Sequence, residues 1–372
     1  MDTKTDKRIV MTLDAGGTNF VFSAVQSNKE IIDPMALPSN AKDLDLCLKT
    51  ILKGFEQTKA KLKSEPVAIS FAFPGPADYK NGIIGDLGNL PAFRGGIALG
   101  PMLEDRFHLP VFINNDGDLF AYGEAISGLL PWVNEKLRQA GKLKQFKNII
   151  GVTLGTGFGG GLIVDGDLLT GDNNASGEVW LLRNKLHRDC YAEESISIRA
   201  VVRVYKSKSK ITVEDNITPQ DIYEVATGKR AGDQVAARES FKKLGDALGD
   251  ALANMINMVD GLVVVGGGLS RAWEFFAPDV ISHINGTINT LDGQTFPRSL
   301  VTAFNIEEPR QMENFLAGQE KEILVPYSSR KVVYDPYKRT AIGLSRLGTS
   351  EAVSIGAYAY ALNAIDKNTA SV

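Results

Sequence analysis

The sequence predicts an α/β protein of two domains that repeat one plan, and three observations carry that expectation. At 372 residues the chain exceeds the length at which a single hydrophobic core stops growing. Apolar, strand-like runs alternate with stretches whose apolar residues recur at helical spacing, which is the pattern of α/β layers. A strand, glycine turn, strand unit also occurs twice, beginning near Leu13 and again near Leu154, and implies an internal duplication. A cleft between two such halves is the natural place for a ligand.

Taken in order, Ile9–Leu13 and Phe20–Val25 are apolar, β-branched runs around Asp14-Ala15-Gly16-Gly17-Thr18-Asn19. Leu44, Cys47, Leu48, Ile51, Leu52 and Phe55 fall on one face of a helix, where Cys47 is a core residue. Val67–Phe73 is a strand stopped by Pro74-Gly75-Pro76. Val111–Ile113 is another, ending in Asn114-Asn115-Asp116, with a helix expected from about Leu119 to Ser127. Residues 131–147 are polar and basic and read as an excursion between domains. Ile149–Leu154 and Gly161–Val164 flank the second turn. Phe241, Leu244, Leu248, Leu252, Met255 and Val259, spaced 3, 4, 4, 3 and 4 apart, mark a long helix with one buried face. It leads into the strand Leu262–Val265, then Gly266-Gly267-Gly268, then a helix near Ser270–Phe276. Residues 307–338 are charged, carry prolines and read as a surface insertion, and Val353–Leu362 is a closing helix.

Composition narrows the partners. A net charge of −3 argues against a nucleic acid or an anionic membrane as the main partner. Cys47 and Cys190 are the only cysteines, too few for a disulfide framework, which suits a reducing cytoplasm. The polar residues 1–8 lead directly into the first strand, so no signal peptide is expected. No apolar run approaches the roughly 18 residues of a membrane span. His108, His187 and His283 lack ligand spacing, and His187 with Cys190 lacks two further ligands, so no zinc site is expected.

The turns carry the chemistry. Glycines let backbone N–H groups close on an anion and supply the φ > 0 conformations of an anion-binding nest. Asp14, beside Gly16 and Gly17, suits Mg²⁺ held through water, and Thr18 offers a hydroxyl and an N–H to a phosphate. The structural alternative is a type I′ hairpin helped by an Asp. The second turn, Gly155 to Gly161, has five glycines in seven positions, more than a turn needs, so close backbone approach to a ligand explains them better. Thr156 is its candidate hydroxyl. Gly266-Gly267-Gly268 suits a flat ligand such as adenine with its ribose, or else is a strand-to-helix loop. Two such hairpins facing each other would grip one polyphosphate, which points to phosphoryl transfer. That reaction needs positioning, charge neutralisation and a carboxylate to accept a hydroxyl proton, and Asp116 is the candidate base. Its alternative role is helix capping, shared with Asn114 and Asn115. Glu178 and Asn89 are candidate acceptors for sugar hydroxyls, or else solvated loop residues.

Together these segments resemble the ROK family of sugar kinases and sugar-responsive repressors, within the actin-like ATPase superfamily. The likeness runs from Leu13 to the final helix. Asp14 to Asn19 resembles the family's first phosphate motif, Phe73-Pro74-Gly75-Pro76-Ala77-Asp78 its Pro-Gly-Pro segment and Gly88-Asn89-Leu90-Pro91 its sugar-contacting turn. Asn115-Asp116, followed by Gly123-Glu124, resembles the segment with the sugar and the base. Leu154 to Gly161, with Gly177-Glu178 after it, resembles the second phosphate motif, and Val263 to Leu269 the adenosine motif. The resemblance implies two ribonuclease-H-like, actin-like ATPase domains with an interdomain cleft. Residues 1–116 plus 353–372 would form a small lobe and residues 117–352 a large one.

It further implies transfer of the γ-phosphate of ATP–Mg²⁺ to a hexose or amino-hexose hydroxyl in the cytoplasm. Asp116 would be the base, and Asn89, Asn115, Asp116 and Glu178 would bind the sugar. Asp14, Gly16, Gly17, Thr18, Asn19, Gly155, Thr156, Gly157, Gly266, Gly267 and Gly268 would bind ATP, with Asp14 also holding Mg²⁺ through water. A homodimer is a family habit. Many members follow the Gly-Glu with a histidine that contacts sugar and, with three cysteines, binds zinc. Here Leu181 stands at that position and only Cys190 remains, so the resemblance implies a zinc-free variant with an altered sugar pocket. A second sugar-binding glutamate should follow that segment, Glu193 or Glu194, with Glu193 preferred. Gly117-Asp118 replaces the usual small residue and asparagine. The competing readings are an idle sugar-binding regulator and a repressor. Asp14, Thr18 and Asp116 argue against the first, and the 13 residues before Asp14 leave no helix-turn-helix ahead of the first motif.

Overall fold

β1 (Val10–Ala15) and β2 (Asn19–Gln26) form the hairpin around which the first half is organised, paired from Val10 with Val25 to Ala15 with Phe20. The structure is a computed structural model and describes residues 3–88 and 90–370. β3 (Lys29–Glu30) and β4 (Met35–Pro38) pair with β2. α1 (Leu44–Lys61) starts at Asp43, whose side chain accepts from the Leu46 N–H, and has Lys59 and Lys61 in its last turn. It buries Cys47, Ile51 and Phe55 as its spacing predicts, and Gly54 lets it ride over the Phe22 ring. Burial pushes the Cys47 thiol pKa up to about 11, as befits an inert core residue. β5 (Ala68–Ala72), fully buried, lies parallel to β1. The short strands β6 (Ala77–Asp78), β7 (Ile83–Ile84) and β8 (Ile97–Ala98) form a small sheet before α2 (Leu99–Phe107). β9 (Val111–Asn114) then lies parallel to β5, and α3 (Asp116–Ile126) follows. The strand order is β3-β2-β1-β5-β9.

The second unit opens with α4 (Leu129–Gln139), where the sequence suggested a polar excursion. Its Leu129, Leu130, Val133 and Leu137 are buried on one face, and Phe146 is buried beyond it. β10 (Ile149–Leu154) and β11 (Phe158–Val164) make the second hairpin, from Ile149 with Ile163 to Leu154 with Phe158. β12 (Asp167–Leu168) belongs with the first unit. α5 (Ile198–Lys208), α6 (Pro219–Thr227) and α7 (Gln234–Val259) follow, α6 under a Thr218–Asp221 capping box. β13 (Leu262–Gly266) is buried throughout and parallel to β10. α8 (Trp273–Ile284) begins after a single-turn helix and so lies later than expected. The hairpin β14 (Thr287–Asn289) and β15 (Thr295–Pro297) precedes β16 (Thr302–Asn305). α9 (Pro309–Ala317) and the hairpin β17 (Lys321–Leu324) and β18 (Lys331–Tyr334) fill the expected insertion. β19 (Arg339–Leu344) closes the sheet in the order β11-β10-β13-β19-β16. Thus β2-β1-β5-β9 and β11-β10-β13-β19 share one order and one set of strand directions, as a duplication requires.

Arg339 is fully buried at the start of β19. Its Nε donates to the Phe315 carbonyl at 2.7 Å and its Nη1 to the Tyr337 carbonyl at 3.1 Å and to Asp335. Those partners all lie in the insertion, which is thereby fastened to the sheet.

The first unit runs to Gly128 and regains Asp167–Gly177 and everything from Leu347 onward. This corrects the boundary expected at residue 116. α3 stays with the first unit because it packs on α10 (Thr349–Ala370) at glycine-mediated contacts. A Cβ at Gly123 would stand 2.0 Å from the Ala352 carbonyl oxygen, and one at Gly356 would stand 1.9 Å from that of Leu119. Two helix backbones approach this closely only where side chains are absent. Among the described residues, no helix is long and apolar enough to cross a membrane.

Candidate active site

In the first unit, β1 is buried up to Leu13 and delivers Asp14 to solvent at its end, beside the exposed Gly17, Thr18 and Asn19. Ser39 commits the carbonyl side of this turn to protein. Its hydroxyl donates to the Gly17 carbonyl at 2.6 Å and its N–H to the Thr18 carbonyl at 2.9 Å. The parallel registers Asp14 with Ala72 and Ala72 with Asn114 bring the end of β9 to the same sheet edge. There Asn115 caps α3, its side chain accepting from the Gly117 N–H at 2.8 Å. Asp116 Oδ1 shares that N–H at 2.9 Å, and Asp116 Oδ2 has no partner among the described residues. Since Asn115 does the capping, Asp116 is not needed for it. The Asp116 carboxylate is open to solvent yet crowded by protein. Desolvation raises its pKa, backbone N–H groups oppose the rise, and the nearby Asp14 charge adds to it. The buried Asn114 amide nitrogen, which the sequence offered only as a helix cap, has no partner among the described residues. Asn89 lies outside the described residues.

In the second unit, β10 and β13 end side by side, with Thr153 level with Gly266, so Gly155–Gly157 and Gly266–Gly268 are neighbours. α5 props the turn from behind, the Ile198 N–H donating to the Gly155 carbonyl at 2.9 Å. Glu193 Oε2 accepts from the Phe158 N–H at 2.9 Å, and Glu193 Oε1 pairs with Arg199 at 2.9 Å. Arg199 also reaches the Thr156 carbonyl at 3.5 Å. The structure therefore places Glu193 under the second glycine turn, and it adds Arg199, which the sequence reading missed. Glu178 accepts from the Trp180 indole N–H, and Leu181 is 56% exposed. Among the described residues, no three His, Cys, Asp or Glu side chains are grouped to hold a metal ion.

The glycines need a corrected explanation. None of Gly16, Gly17, Gly155 or Gly157 has positive φ, so neither turn is type I′ and neither uses glycine for left-handed backbone. Gly157 is glycine because a Cβ would stand 2.6 Å from Glu193 Oε2. Gly17, Gly88, Gly155 and Gly268, in four of the recognised motifs, have ordinary φ and nothing within 4 Å of where a Cβ would stand. Neither conformation nor packing demands glycine there, and each leaves an open backbone face. Gly267 differs: its φ is +85° and a Cβ would stand 2.3 Å from the Leu154 carbonyl oxygen.

The contrast gives a test. Gly155→Ala is expected to leave thermal stability within about 0.5 kcal/mol of the parent and to weaken binding of an ATP analogue about tenfold or more. Gly267→Ala is expected to destabilise by about 1–3 kcal/mol. Normal nucleotide affinity in Gly155→Ala, measured by calorimetric titration, would refute the cradle.

A family model described as the ROK family matches residues 10–295. The crystal structure of a glucokinase from Parabacteroides distasonis is 51% identical, covering 98% of this chain and 99% of that one, with a TM-score of 0.90. A glucokinase of Halalkalibacterium halodurans is 26% identical over 291 residues, 73% of this chain and 83% of its own. An N-acetyl-D-glucosamine kinase of Photobacterium profundum is 27% identical over 272 residues, 69% and 83% respectively.

Proposed function

Because the chain belongs to the ROK family, we propose that it is an ATP-dependent sugar kinase that phosphorylates a hexose or amino-hexose hydroxyl. The observation that carries the reading is Asp116, a carboxylate with one free oxygen, relieved of capping by Asn115 and set near Asp14 at the edge of a glycine turn. In the transfer, the sugar hydroxyl oxygen bonds to the γ-phosphorus, the bond to the β-phosphate bridging oxygen breaks, and the hydroxyl proton passes to Asp116. A pKa raised above the ordinary carboxylate value makes Asp116 a stronger proton acceptor. Asp14 would hold Mg²⁺ through water, and the ion when bound offsets phosphate charge. Thr18 and the open faces of Gly17 and Gly155 would receive phosphate oxygens, with Thr156 beside them, and Gly268 would receive the adenosine. Asn89, Asn115 and Glu178 would orient the sugar. Glu193, already shared by Phe158 and Arg199, would act by holding the second turn.

The acceptor to try first is glucose, since the relative at 51% identity is named a glucokinase. N-acetyl-D-glucosamine comes next. A coupled assay of ADP release with Mg–ATP and a panel of sugars is expected to show sugar-dependent turnover with one or a few of them. A rate no higher than the sugar-free control with every sugar would refute the reading.

A further inference from the structure

Beside α5 the second unit has a half-open pocket of about 280 Å³, just under the size usual for small-molecule sites. None of the residues assigned to sugar, nucleotide or base lines it. Three cations do, Arg203, Lys208 and Lys243, with the Ser207 hydroxyl beside them and Val201 and Leu244 giving an apolar wall, and no carboxylate lines it. The Lys208 ammonium has no ion pair or hydrogen bond among the described residues, whereas Lys243 Nζ reaches only Glu239 and Asp246 of its own helix, at 3.7 and 3.3 Å. Three cations on one pocket suit a dianion better than a monoanion, and the apolar wall suits an organic group attached to it.

We propose that this cavity is a regulatory site for a small organic phosphomonoester. A chain of ion pairs leads from it to the second phosphate turn. Arg203 binds Glu194 at 3.1 Å, Glu194 binds Arg199 at 2.8 Å, and Arg199 binds both Glu193 and the Thr156 carbonyl. Glu193 in turn holds the Phe158 N–H. A phosphate that draws Arg203 from Glu194 leaves Glu194 to Arg199 alone and redistributes the pairing under the turn. The link to nucleotide affinity rests on the kinase reading, whereas the site itself does not.

The test titrates phenyl phosphate into the full chain saturated with a non-hydrolysable ATP analogue, so that the phosphate turns are already filled. One-to-one binding is expected, tighter than that of inorganic phosphate, which lacks the apolar part. The variant Lys208→Gln/Lys243→Gln, altered at an exposed and a half-buried position, is expected to unfold at the parent temperature and to bind phenyl phosphate at least about tenfold more weakly. Saturating phenyl phosphate is expected to change the affinity for the ATP analogue about threefold or more in the parent and not in the variant. No binding to the analogue-saturated parent, or equal binding by the variant, would overturn the site. An unchanged nucleotide affinity would overturn the link to the turn. Failure to bind the ATP analogue at all would count against the kinase reading instead, and the same parent-and-variant comparison, run without it, would still decide the site.

Discussion

Asp116→Asn is expected to lower kcat by about 10²–10⁴-fold while changing ATP-analogue affinity less than about threefold. Asparagine keeps an oxygen for the Gly117 N–H, so the start of α3 is preserved and only proton acceptance is lost. Desolvation raises the carboxylate pKa above 3.8 against opposing backbone hydrogen bonds, with Asp14 adding to the rise. The folded protein therefore holds the Asp116 proton to higher pH than the unfolded chain does. That contribution to stability is present below 3.8 and is lost as pH rises through the folded value. Above the folded value the ionised carboxylate is a burden, so there the variant is expected to melt at or above the parent temperature. The acid limb of kcat/KM in the parent should also lie above the ordinary carboxylate value. Near-normal turnover by Asp116→Asn, or an acid limb at or below 3.8, would remove Asp116 from the role of base.

Gly356→Ala is expected to destabilise the first unit by about 3 kcal/mol, at the upper end for overpacking, because the new methyl group meets a backbone carbonyl rather than a side chain that can turn away. Since α3 carries Asp116 and packs on α10, activity should fall with stability. Urea denaturation followed by circular dichroism measures the loss. A change under about 1 kcal/mol would mean that α3 and α10 can part without cost. Gly17→Ala, with open space at its Cβ, is the control for glycine loss alone.

Much of this architecture is legible in the sequence because periodicity reports burial directly. The face from Phe241 to Met255 is buried as its spacing predicts, and the flanks of both turns are strands. β19 escapes the pattern because it opens on Arg339 and Thr340, polar residues that the fold buries with specific partners. α4 is hidden by the polar residues Asn134, Glu135, Lys136 and Arg138, although Leu130, Val133 and Leu137 carry helical spacing. The domain boundary depends on where two short segments pack, around residues 167 and 177, and no local composition encodes that. Candidate site residues that are neighbours through the sheet, such as Asp14 and Asp116, follow from strand-end motifs. Glu193 does not, because its contact with Phe158 spans 35 residues of chain. A sequence also cannot distinguish a glycine kept for its dihedral angle, such as Gly267, from one kept for its open face, such as Gly155.

The Arg339 guanidinium has a consequence for how the chain can change over time. Its recorded partners, Phe315, Asp335 and Tyr337, all belong to the segment between β16 and β19. Deleting that segment alone would strand a cation in an apolar interior, at a cost of several kcal/mol. Loss of the arm and loss of the arginine are thus tied together, and shorter homologues should carry a neutral residue where this chain has Arg339.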